Sequence, residues 1–267
     1  MKLHILGSAG YHPNGFRETT CMMIPELGIV LDAGSGFYRV RGLLDQVPKD
    51  LPLKTFISHG HIDHTIGLTY GIDVLWRTGR KAAVIAHGDH LRAIRDQLFG
   101  GPLFPLPVSH PAIGYELIAA EPGMTGAGPG GAWEANGVRY VPISLPHPGG
   151  STGYRLSLPN GRDIVYVTDA CADEVPTSFV KGAHTLIHEC NFTDDLAELA
   201  RNSGHSTTSQ VFNLAKRAGV QRLVCMHWNT MIELVAGHAI KDMTGRDLAE
   251  KLPFELVLAD DKTVIDL

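Results

Sequence analysis

The chain has 267 residues, of which 44% are hydrophobic and 19% are charged. These proportions are ordinary for a globular protein and exclude a disordered or fibrous chain. The 28 acidic residues outnumber the 23 basic ones, so the formal net charge is −5 and no long basic segment provides a footprint for nucleic acid. The composition therefore favours a small ligand over a long polyanion.

The ends and the cysteines indicate a location in the cell. The first seven residues contain too few apolar side chains for a signal peptide, and no apolar run approaches the length of a membrane span. The four cysteines show no close pairing, which is typical of reduced thiols in a cytoplasm. They are Cys21, Cys171, Cys190 and Cys225. We therefore expect a cytoplasmic protein without membrane association.

In the first half of the chain, apolar runs bounded by glycine and proline predict strands, and apolar residues at helical spacing predict helices. The predicted strands are residues 2–6, 21–24, 28–31, 54–58 and 82–87, and the predicted helices are residues 37–44, 65–79 and 90–98. Residues 100–137 are rich in glycine and proline, so we predict loops that form a lid over the active site and select the substrate.

The second half repeats this alternation. The predicted strands are residues 138–143, 154–158, 164–167, 185–188 and 223–226, and a helix is predicted at residues 207–218, capped by Ser206 or Thr207. Strands before and after helices in both halves predict two β-sheets with helices packed against them.

The strongest chemical signal is Ser-His-Gly-His-Ile-Asp-His at the end of the strand predicted at residues 54–58. His59, His61, Asp63 and His64 place four metal-ligand side chains within six positions. Imidazole nitrogens with a carboxylate suit zinc, and also iron or manganese. The pattern therefore predicts a metal centre where this strand ends.

Three further residues extend this signal. His147 lies in Leu-Pro-His-Pro-Gly-Gly, Asp169 in Val-Tyr-Val-Thr-Asp-Ala, and His227 in Leu-Val-Cys-Met-His-Trp. Asp169 and His227 each follow a predicted strand, as His59 does. Towards the carboxyl terminus the chain also contains Ile-His-Glu-Cys-Asn-Phe, which includes Glu189, and Gly-His-Ser-Thr, which includes His205.

In these motifs and their order the chain resembles the metallo-β-lactamase superfamily. His-Glu-Cys-Asn-Phe and Gly-His-Ser-Thr, with Leu-Gly-Ser-Ala-Gly and Leu-Asp-Ala-Gly near the amino terminus, are similar to the ribonuclease Z branch of phosphodiesterases. The common long-armed members of that branch carry a substrate arm between the third histidine motif and the bridging aspartate. Only 22 positions separate His147 from Asp169 here (169 − 147), which leaves no room for such an arm.

The resemblance implies an α/β fold, the four-layer αββα sandwich of metallo-β-lactamases. It implies one domain over residues 1–267, built from two pseudo-related halves of about 1–137 and 138–267. It also implies that Asp32, in Leu-Asp-Ala-Gly, supports the metal loop without binding metal; the residues alone allow a simple turn cap there.

The resemblance further implies two divalent metal ions, zinc by expectation, with manganese or iron as alternatives. The first ion would be held by His59, His61 and His147, the second by Asp63, His64 and His227, and Asp169 would bridge them. A metal-bridging hydroxide would be the nucleophile. His205 would protonate the leaving group, Glu189 would orient His205, and Asp63 would combine metal binding with proton acceptance.

These residues predict a phosphodiesterase that acts on a small or single-stranded phosphodiester. Two alternatives remain open: a ribonuclease Z-type endonuclease that processes tRNA 3′ ends, and a thioester, lactone or β-lactam hydrolase on the same metals. A metal-stabilised binding protein is disfavoured because every ligand is present. The resemblance implies a homodimer, and nucleic acid is a less favoured partner than a small substrate.

Overall fold

The computed structural model describes residues 1–121, 132–135, 137–232 and 252–267. The chain divides into two compact units, Met1–Glu121 with Asp260–Leu267, and Pro122–Ala259. The strands in chain order are β1 (Lys2–Gly7), β2 (Ala9–Gly10), β3 (Cys21–Ile24), β4 (Ile29–Leu31), β5 (Leu53–Phe56), β6 (Ala82–Ala86), β7 (Tyr115–Ala119), β8 (Trp133–Ala135), β9 (Val138–Leu145), β10 (Ser151–Ser157), β11 (Asp163–Val167), β12 (Thr185–Glu189), β13 (Arg222–Met226), β14 (Trp228–Asn229), β15 (Glu255–Leu258) and β16 (Val264–Asp266).

The helices are short, and several are of the 3₁₀ type. The α-helices are α1 (Ile62–Thr65), α2 (Gly71–Val74), α3 (Gly88–Ala93), α4 (Thr177–Val180), α5 (Ala197–Ser203) and α6 (Thr208–Ala218). The 3₁₀ helices are Pro25–Leu27, Ser35–Gln46, Ile66–Tyr70 and Asp194–Leu196, and α3 continues as a π-helix over Ile94–Leu98. Every strand predicted from the sequence is present, with ends shifted by no more than three residues.

The first unit contains a mixed seven-stranded sheet in the order β16-β1-β3-β4-β5-β6-β7. The pairs from β16 to β4 are antiparallel, and those from β4 to β7 are parallel. Leu53 and Val84 of this sheet share an apolar core with Phe37 and Val40 of the 3₁₀ helix. The parallel half directs the ends of β4, β5 and β6 to one edge of the sheet.

The second unit contains another seven-stranded sheet, in the order β15-β13-β12-β11-β10-β9-β8. Strands β8 to β11 pair antiparallel, and β11, β12, β13 and β15 pair parallel. The helix α6 buries Val211, Leu214 and Ala215, the residues predicted to face inward, in a core with Val165 and Leu186. A capping box on Thr207 begins this helix, as the sequence predicted.

The helix predicted at residues 65–79 was wrong in its bounds and its continuity. The helical segment begins at Ile62, changes to a 3₁₀ helix at Ile66, and ends at Val74. The cause is a close backbone approach, since a Cβ at Gly67 would lie 2.3 Å from the Gly34 carbonyl oxygen. The Gly67 amide donates to the Ala33 carbonyl at 2.7 Å, so it leaves the α-helical hydrogen-bond pattern.

The described part of residues 100–137 is more regular than predicted. Strand β7 lies at the edge of the first sheet, parallel to β6, and β8 begins the second sheet. Burial alternates only partly along β7, so the periodicity of this strand is weak in the sequence. The predicted lid depends mainly on the glycine-rich residues 126–131, which lie outside the described residues.

The last residues of the chain complete the first unit. Strand β16 pairs antiparallel with β1. Before it, the buried carboxylate of Asp261 accepts hydrogen bonds from the Ser8 amide at 2.9 Å and the Glu18 amide at 2.8 Å, and it also contacts the Arg39 guanidinium. Because four donors converge on this carboxylate, counting the Ser8 hydroxyl, the terminal segment is held by charge-assisted hydrogen bonds.

Candidate metal centre

The first ligand cluster, which comprises His59, His61, Asp63 and His64, lies in the first unit. Strand β5 ends at Phe56, and the loop after it carries His59 and His61, while Asp63 and His64 lie in the first turn of α1. Strand β4 runs parallel to β5 and is followed at once by Asp32. The parallel arrangement therefore places Asp32 beside the ligand loop.

The rings of the first cluster lie close together. The His59 ring centroid is 4.4 Å from that of His61 and 4.3 Å from that of His64. The His64 Nε2 atom lies 3.3 Å from Asp63 Oδ2. His59, Asp63 and His64 are buried, and His61 is exposed. Four donor side chains thus lie close together in the first unit, and His61 is the one exposed to solvent.

Asp32 determines how two of these rings are oriented. Its Oδ2 atom is 2.8 Å from His64 Nδ1 and accepts the Ser58 hydroxyl proton at 2.8 Å, and its Oδ1 accepts from the Ser58 amide at 2.7 Å. Since the Ser58 hydroxyl donates to Asp32, it accepts from His59 Nδ1, at 3.0 Å. Both rings therefore carry their proton on Nδ1, and Nε2 is the nitrogen that could bind a metal. Asp32 therefore holds the loop that carries these histidines by hydrogen bonds, and its role at a metal stays a prediction.

The second ligand cluster, which comprises His147, Asp169 and His227, lies in the second unit. Asp169 and His227 follow the parallel strands β11 and β13, and His147 follows β9, which runs in the same direction as β11 because both are antiparallel to β10. The three side chains therefore lie at one edge of the second sheet. Strands β10 and β11 fill the interval between His147 and Asp169. This agrees with the prediction that the interval leaves no room for a substrate arm.

Each carboxylate oxygen of Asp169 faces a different histidine. Its Oδ1 is 3.1 Å from His227 Nε2, and its Oδ2 is 3.6 Å from His147 Nε2. The His147 Nδ1 atom lies 3.1 Å from the carbonyl oxygen of Gly204, which fixes the proton on Nδ1. Gly204 has φ +74°, and a Cβ there would lie 2.9 Å from His147 Nδ1, so only glycine fits.

His205 lies beside the second cluster and is held by Glu189. The His205 Nδ1 atom is 3.0 Å and 3.1 Å from the two Glu189 carboxylate oxygens. Glu189 is fully buried and also accepts from the Ala170 amide, at 2.8 Å. One donor atom each of Asp169, His205 and His227 lie within 4.8 Å of one another. Glu189 therefore presents the Nε2 atom of His205 towards the ligands of its own unit.

Backbone strain occurs at two of these candidate ligands and at Asp32. Among the described residues, six non-glycine residues have positive φ, and three of them are Asp32 at 55°, Asp169 at 47° and His227 at 57°. This left-handed conformation costs roughly 1–3 kcal/mol for a residue with a side chain, so it persists only where the surroundings impose it. Each of the three follows the end of a strand, where the turn redirects the side chain to the sheet edge.

His188 is a buried histidine next to Glu189 that belongs to neither cluster. Its Nδ1 lies 2.8 Å from the Glu189 carbonyl oxygen, whereas its buried Nε2 has no hydrogen-bond partner within the described part of the chain. Burial lowers the pKa of His188 below its ordinary value of 6.5. It therefore packs as a neutral side chain.

We expect His188→Leu to reduce the loss of stability in acid. The unfolded chain protonates this residue near pH 6.5 and the folded chain resists protonation, so native stability falls as pH drops below that value. One such proton contributes a slope of up to about 1.4 kcal/mol per pH unit. Urea denaturation between pH 8 and pH 5, roughly the range that a histidine pKa spans, should give a flatter profile for the variant. The control is His110→Leu, because His110 is half-exposed. Parallel stability profiles for wild type and His188→Leu would contradict the prediction.

The structure thus brings all the sequence-predicted site residues into one of two groups. The first unit holds His59, His61, Asp63 and His64, and the second holds His147, Asp169, Glu189, His205 and His227. Sequence reasoning missed Ser58 and Gly204, which set histidine tautomers. Ser58 directly precedes His59, and the need of a metal-binding histidine for a partner at its other nitrogen is the signal that could have identified it.

The chain matches the family described as "Beta-lactamase superfamily domain" over residues 28–228, which is three quarters of its length. The chain belongs to this superfamily. Ribonuclease Z of Kineococcus radiotolerans is 27% identical to it, in an alignment that covers 85% of this chain and 83% of the relative. Together with the motifs, these matches confirm the predicted ribonuclease Z-like member of the superfamily and a metal-dependent hydrolase.

Solved structures agree on the fold of this superfamily member. The metallo-β-lactamase fold protein YhfI from Bacillus subtilis has a TM-score of 0.68 at 18% identity, and covers 99% of this chain and 98% of its own. Human short-form tRNase Z has a TM-score of 0.67 at 19% identity, and covers 100% and 99%. The prediction of an α/β metallo-β-lactamase fold is confirmed. Within the described ranges, no helix is long and apolar enough to cross a bilayer.

Proposed function

We propose that this superfamily member is a phosphodiesterase with a dinuclear metal site formed by both ligand clusters. His59, His61 and His147 would hold one divalent ion, Asp63, His64 and His227 the other, and Asp169 would be shared. Asp169 supports this arrangement because each of its oxygens faces a different histidine nitrogen, as a bridging carboxylate requires. The homodimer implied by the resemblance stays a prediction.

The donor chemistry fits such ions. His59, His64 and His147 each have Nδ1 engaged, by Ser58, Asp32 and the Gly204 carbonyl, so Nε2 is the nitrogen available to a metal. Imidazole nitrogens and carboxylate oxygens suit zinc, and manganese or iron remain alternatives. When bound, two such ions supply a nucleophile by lowering the pKa of water, and stabilise charge on the phosphate oxygens.

The observation that carries the phosphodiesterase assignment is the pair of His205 and Glu189. Expulsion of an alkoxide from phosphorus requires a proton, and His205 can give the proton of its Nε2 to the leaving oxygen. Glu189 accepts from Nδ1 and stabilises the charged imidazolium before transfer. Asp63, whose Oδ2 accepts from the Tyr11 amide at 2.8 Å, is positioned to accept the proton that the attacking water releases. A thioester hydrolase needs no such proton donor, because a thiolate leaves without protonation.

RNA is a second candidate substrate. The relative from Kineococcus radiotolerans is named ribonuclease Z, and its alignment covers most of both chains. Against this, the net charge is −5 and strands β10 and β11 occupy the position of the long substrate arm. We therefore rank a small or short single-stranded phosphodiester first, and a structured RNA second.

The proposal predicts a metal content of two per chain and a preference for phosphodiesters over carboxylic esters. Bis(p-nitrophenyl) phosphate and p-nitrophenyl acetate should be compared at equal concentration, before and after removal of metal by a chelator. We expect diester turnover to disappear with the metal and to return when zinc or manganese is restored, because the proposed nucleophile is water activated by the metal.

Two controls separate the alternatives. A precursor tRNA assayed beside a short single-stranded oligoribonucleotide distinguishes structured RNA from short diesters. Faster hydrolysis of the acetate than of the diester, or diester turnover that survives complete metal removal, would overturn the proposed function. Cleavage of the precursor tRNA alone would replace it with the second candidate.

A further inference from the structure

A cavity of about 480 Å³ in the first unit is lined mainly by cationic side chains. We call it the basic cavity; it is formed by Arg41, Lys49, Arg77 and Arg80, with Asp45 as its one carboxylate. Its walls come from the end of the 3₁₀ helix Ser35–Gln46 and from the loops that enter β5 and β6.

The basic cavity lies away from the ligands of the first cluster. Those ligands follow the carboxyl end of β5, whereas Lys49 precedes the amino end of β5 and Arg80 precedes β6. Because β5 and β6 are parallel, the two sets of loops occupy opposite edges of the sheet. The length of the four-residue strand β5 alone places these two edges about 13 Å apart. The proposed phosphodiesterase mechanism does not use this cavity, and a ligand site here would be independent of that mechanism.

Two arginines build the walls of the cavity. Arg80 donates to the carbonyl oxygens of Pro48 at 2.8 Å and Val47 at 3.1 Å, and so holds the segment that carries Lys49. Arg41 donates to the Trp76 carbonyl oxygen at 2.9 Å and so holds the turn that carries Arg77. Carbonyl oxygens orient these guanidinium groups without neutralising them, so the positive charge stays at the cavity.

Within the described residues, one carboxylate offsets only part of the positive charge of the cavity. None of the four cations forms an ion pair there, although most arginines elsewhere in the described ranges have a carboxylate within 4.0 Å, as Arg17 and Arg155 do. Lys49 and Arg77 are exposed and form no hydrogen bond with the described part of the chain. In a protein with net charge −5, four close cations against one carboxylate create a local site for an anion.

Arg77 and Trp76 add chemistry beyond charge. Arg77 has φ +55°, a conformation that favours glycine, so its side chain is presented at a cost to the backbone. Its guanidinium lies over the Trp76 ring, 4.6 Å from the centroid, and the Trp76 side chain is 59% exposed. An exposed indole beside guanidinium groups is the arrangement on which nucleic-acid bases stack while their phosphates are neutralised.

We propose that the basic cavity and the adjoining Trp76, which does not itself line the cavity, form a nucleotide site. In this site Arg41, Lys49 and Arg77 bind the phosphate, and the base stacks on the face of the Trp76 ring that Arg77 does not cover. The ligand is a free mononucleotide or one unit of a single-stranded oligonucleotide, which share this chemistry. A bare phosphate would leave the indole unused, and a nucleoside would leave the cations unpaired.

The test uses the full-length, metal-loaded protein and titrates adenosine 5′-monophosphate by calorimetry, beside adenosine, ribose 5-phosphate and 5′-phosphorylated hexauridylate. The variant Lys49→Gln with Arg77→Gly removes two cations that make no structural hydrogen bond, and the glycine relieves the positive φ at 77. We expect it to bind the monophosphate about tenfold or more weakly, with an unfolding temperature that is not lowered. Trp76→Ala should weaken the monophosphate and leave ribose 5-phosphate unaffected.

Arg139→Gln, which removes one exposed cation in the second unit, is the matched control and should bind like wild type. Photolabelling with 8-azidoadenosine 5′-monophosphate should modify residues 71–81. Tighter binding of the hexauridylate than of the monophosphate, reduced in the same variants, identifies the ligand as a strand, and the reverse order identifies it as a free nucleotide. Equal affinity of wild type and the double variant for both probes, or labelling confined to the metal ligands, would overturn the nucleotide site.

Discussion

His205→Ala is expected to lower turnover of the dinucleoside phosphate uridylyl-(3′→5′)-uridine by about 10²–10⁴-fold, with both metal ions retained. The ribose oxygen that leaves is strongly basic and must receive a proton as its bond to phosphorus breaks. Glu189 holds the ring through Nδ1, so the other nitrogen is the proton donor. Bis(p-nitrophenyl) phosphate should be far less affected, because p-nitrophenolate leaves without protonation.

The contrast between leaving groups distinguishes a proton donor from a metal ligand. If His205 bound metal, its loss would slow both substrates and lower the metal content. Glu189→Gln, which keeps the shape and one hydrogen bond, should move the basic limb of the pH profile to lower pH because the imidazolium loses its neighbouring charge. His110→Ala is the matched control from a loop. Equal losses on both substrates with His205→Ala would refute the assignment.

Asp32→Asn is expected to weaken metal binding by about 10–100-fold, although Asp32 touches no metal in the proposed site. The Asp32 carboxylate accepts three hydrogen bonds, from the Ser58 amide, the Ser58 hydroxyl and His64 Nδ1, and is fully buried. The amide nitrogen of asparagine is itself a donor, so it cannot accept the hydrogen bonds that the carboxylate oxygen accepts. The protons of His59 and His64 would then no longer be held on Nδ1, and Nε2 would be lost as a ligand in part of the population.

Competition with a chromogenic zinc chelator measures the loss of metal affinity directly. Denaturation of the metal-free protein measures how much the substitution destabilises the fold. We expect about 1–3 kcal/mol of destabilisation from the unsatisfied buried donors. The exposed Asp50→Asn should change neither quantity. Unchanged zinc affinity in Asp32→Asn would show that the ligand loop is positioned without this carboxylate.

Ligand positions were predictable because strand ends are easy to read. His59, Asp169 and His227 each follow an apolar run, and parallel strands bring such ends to a common sheet edge whatever the loops between them do. The histidine and aspartate spacing then identified the chemistry, and the motif order identified the superfamily. Each of these motifs is a local pattern of fewer than ten residues, and their order along the chain can be read without the fold.

What the sequence did not reveal depends on contacts between distant segments. The break in the helix after His64 arises from the approach of Gly67 to Ala33, more than 30 positions earlier. The tautomer of His147 depends on the carbonyl of Gly204, 57 positions later. Strand β7 has weak periodicity, and the basic cavity joins cations from separate loops. No local pattern encodes such pairings.

The pairing of β16 with β1 has a consequence for the order of folding during translation. The sheet of the first unit gains its outer strand, and Ser8, Glu18 and Arg39 gain Asp261, only from residues 260–267, which follow the whole second unit in the sequence. The first unit therefore cannot finish folding until the second unit has been synthesised and residues 260–267 have left the ribosome. Until then, the nascent chain keeps this edge of β1 unpaired.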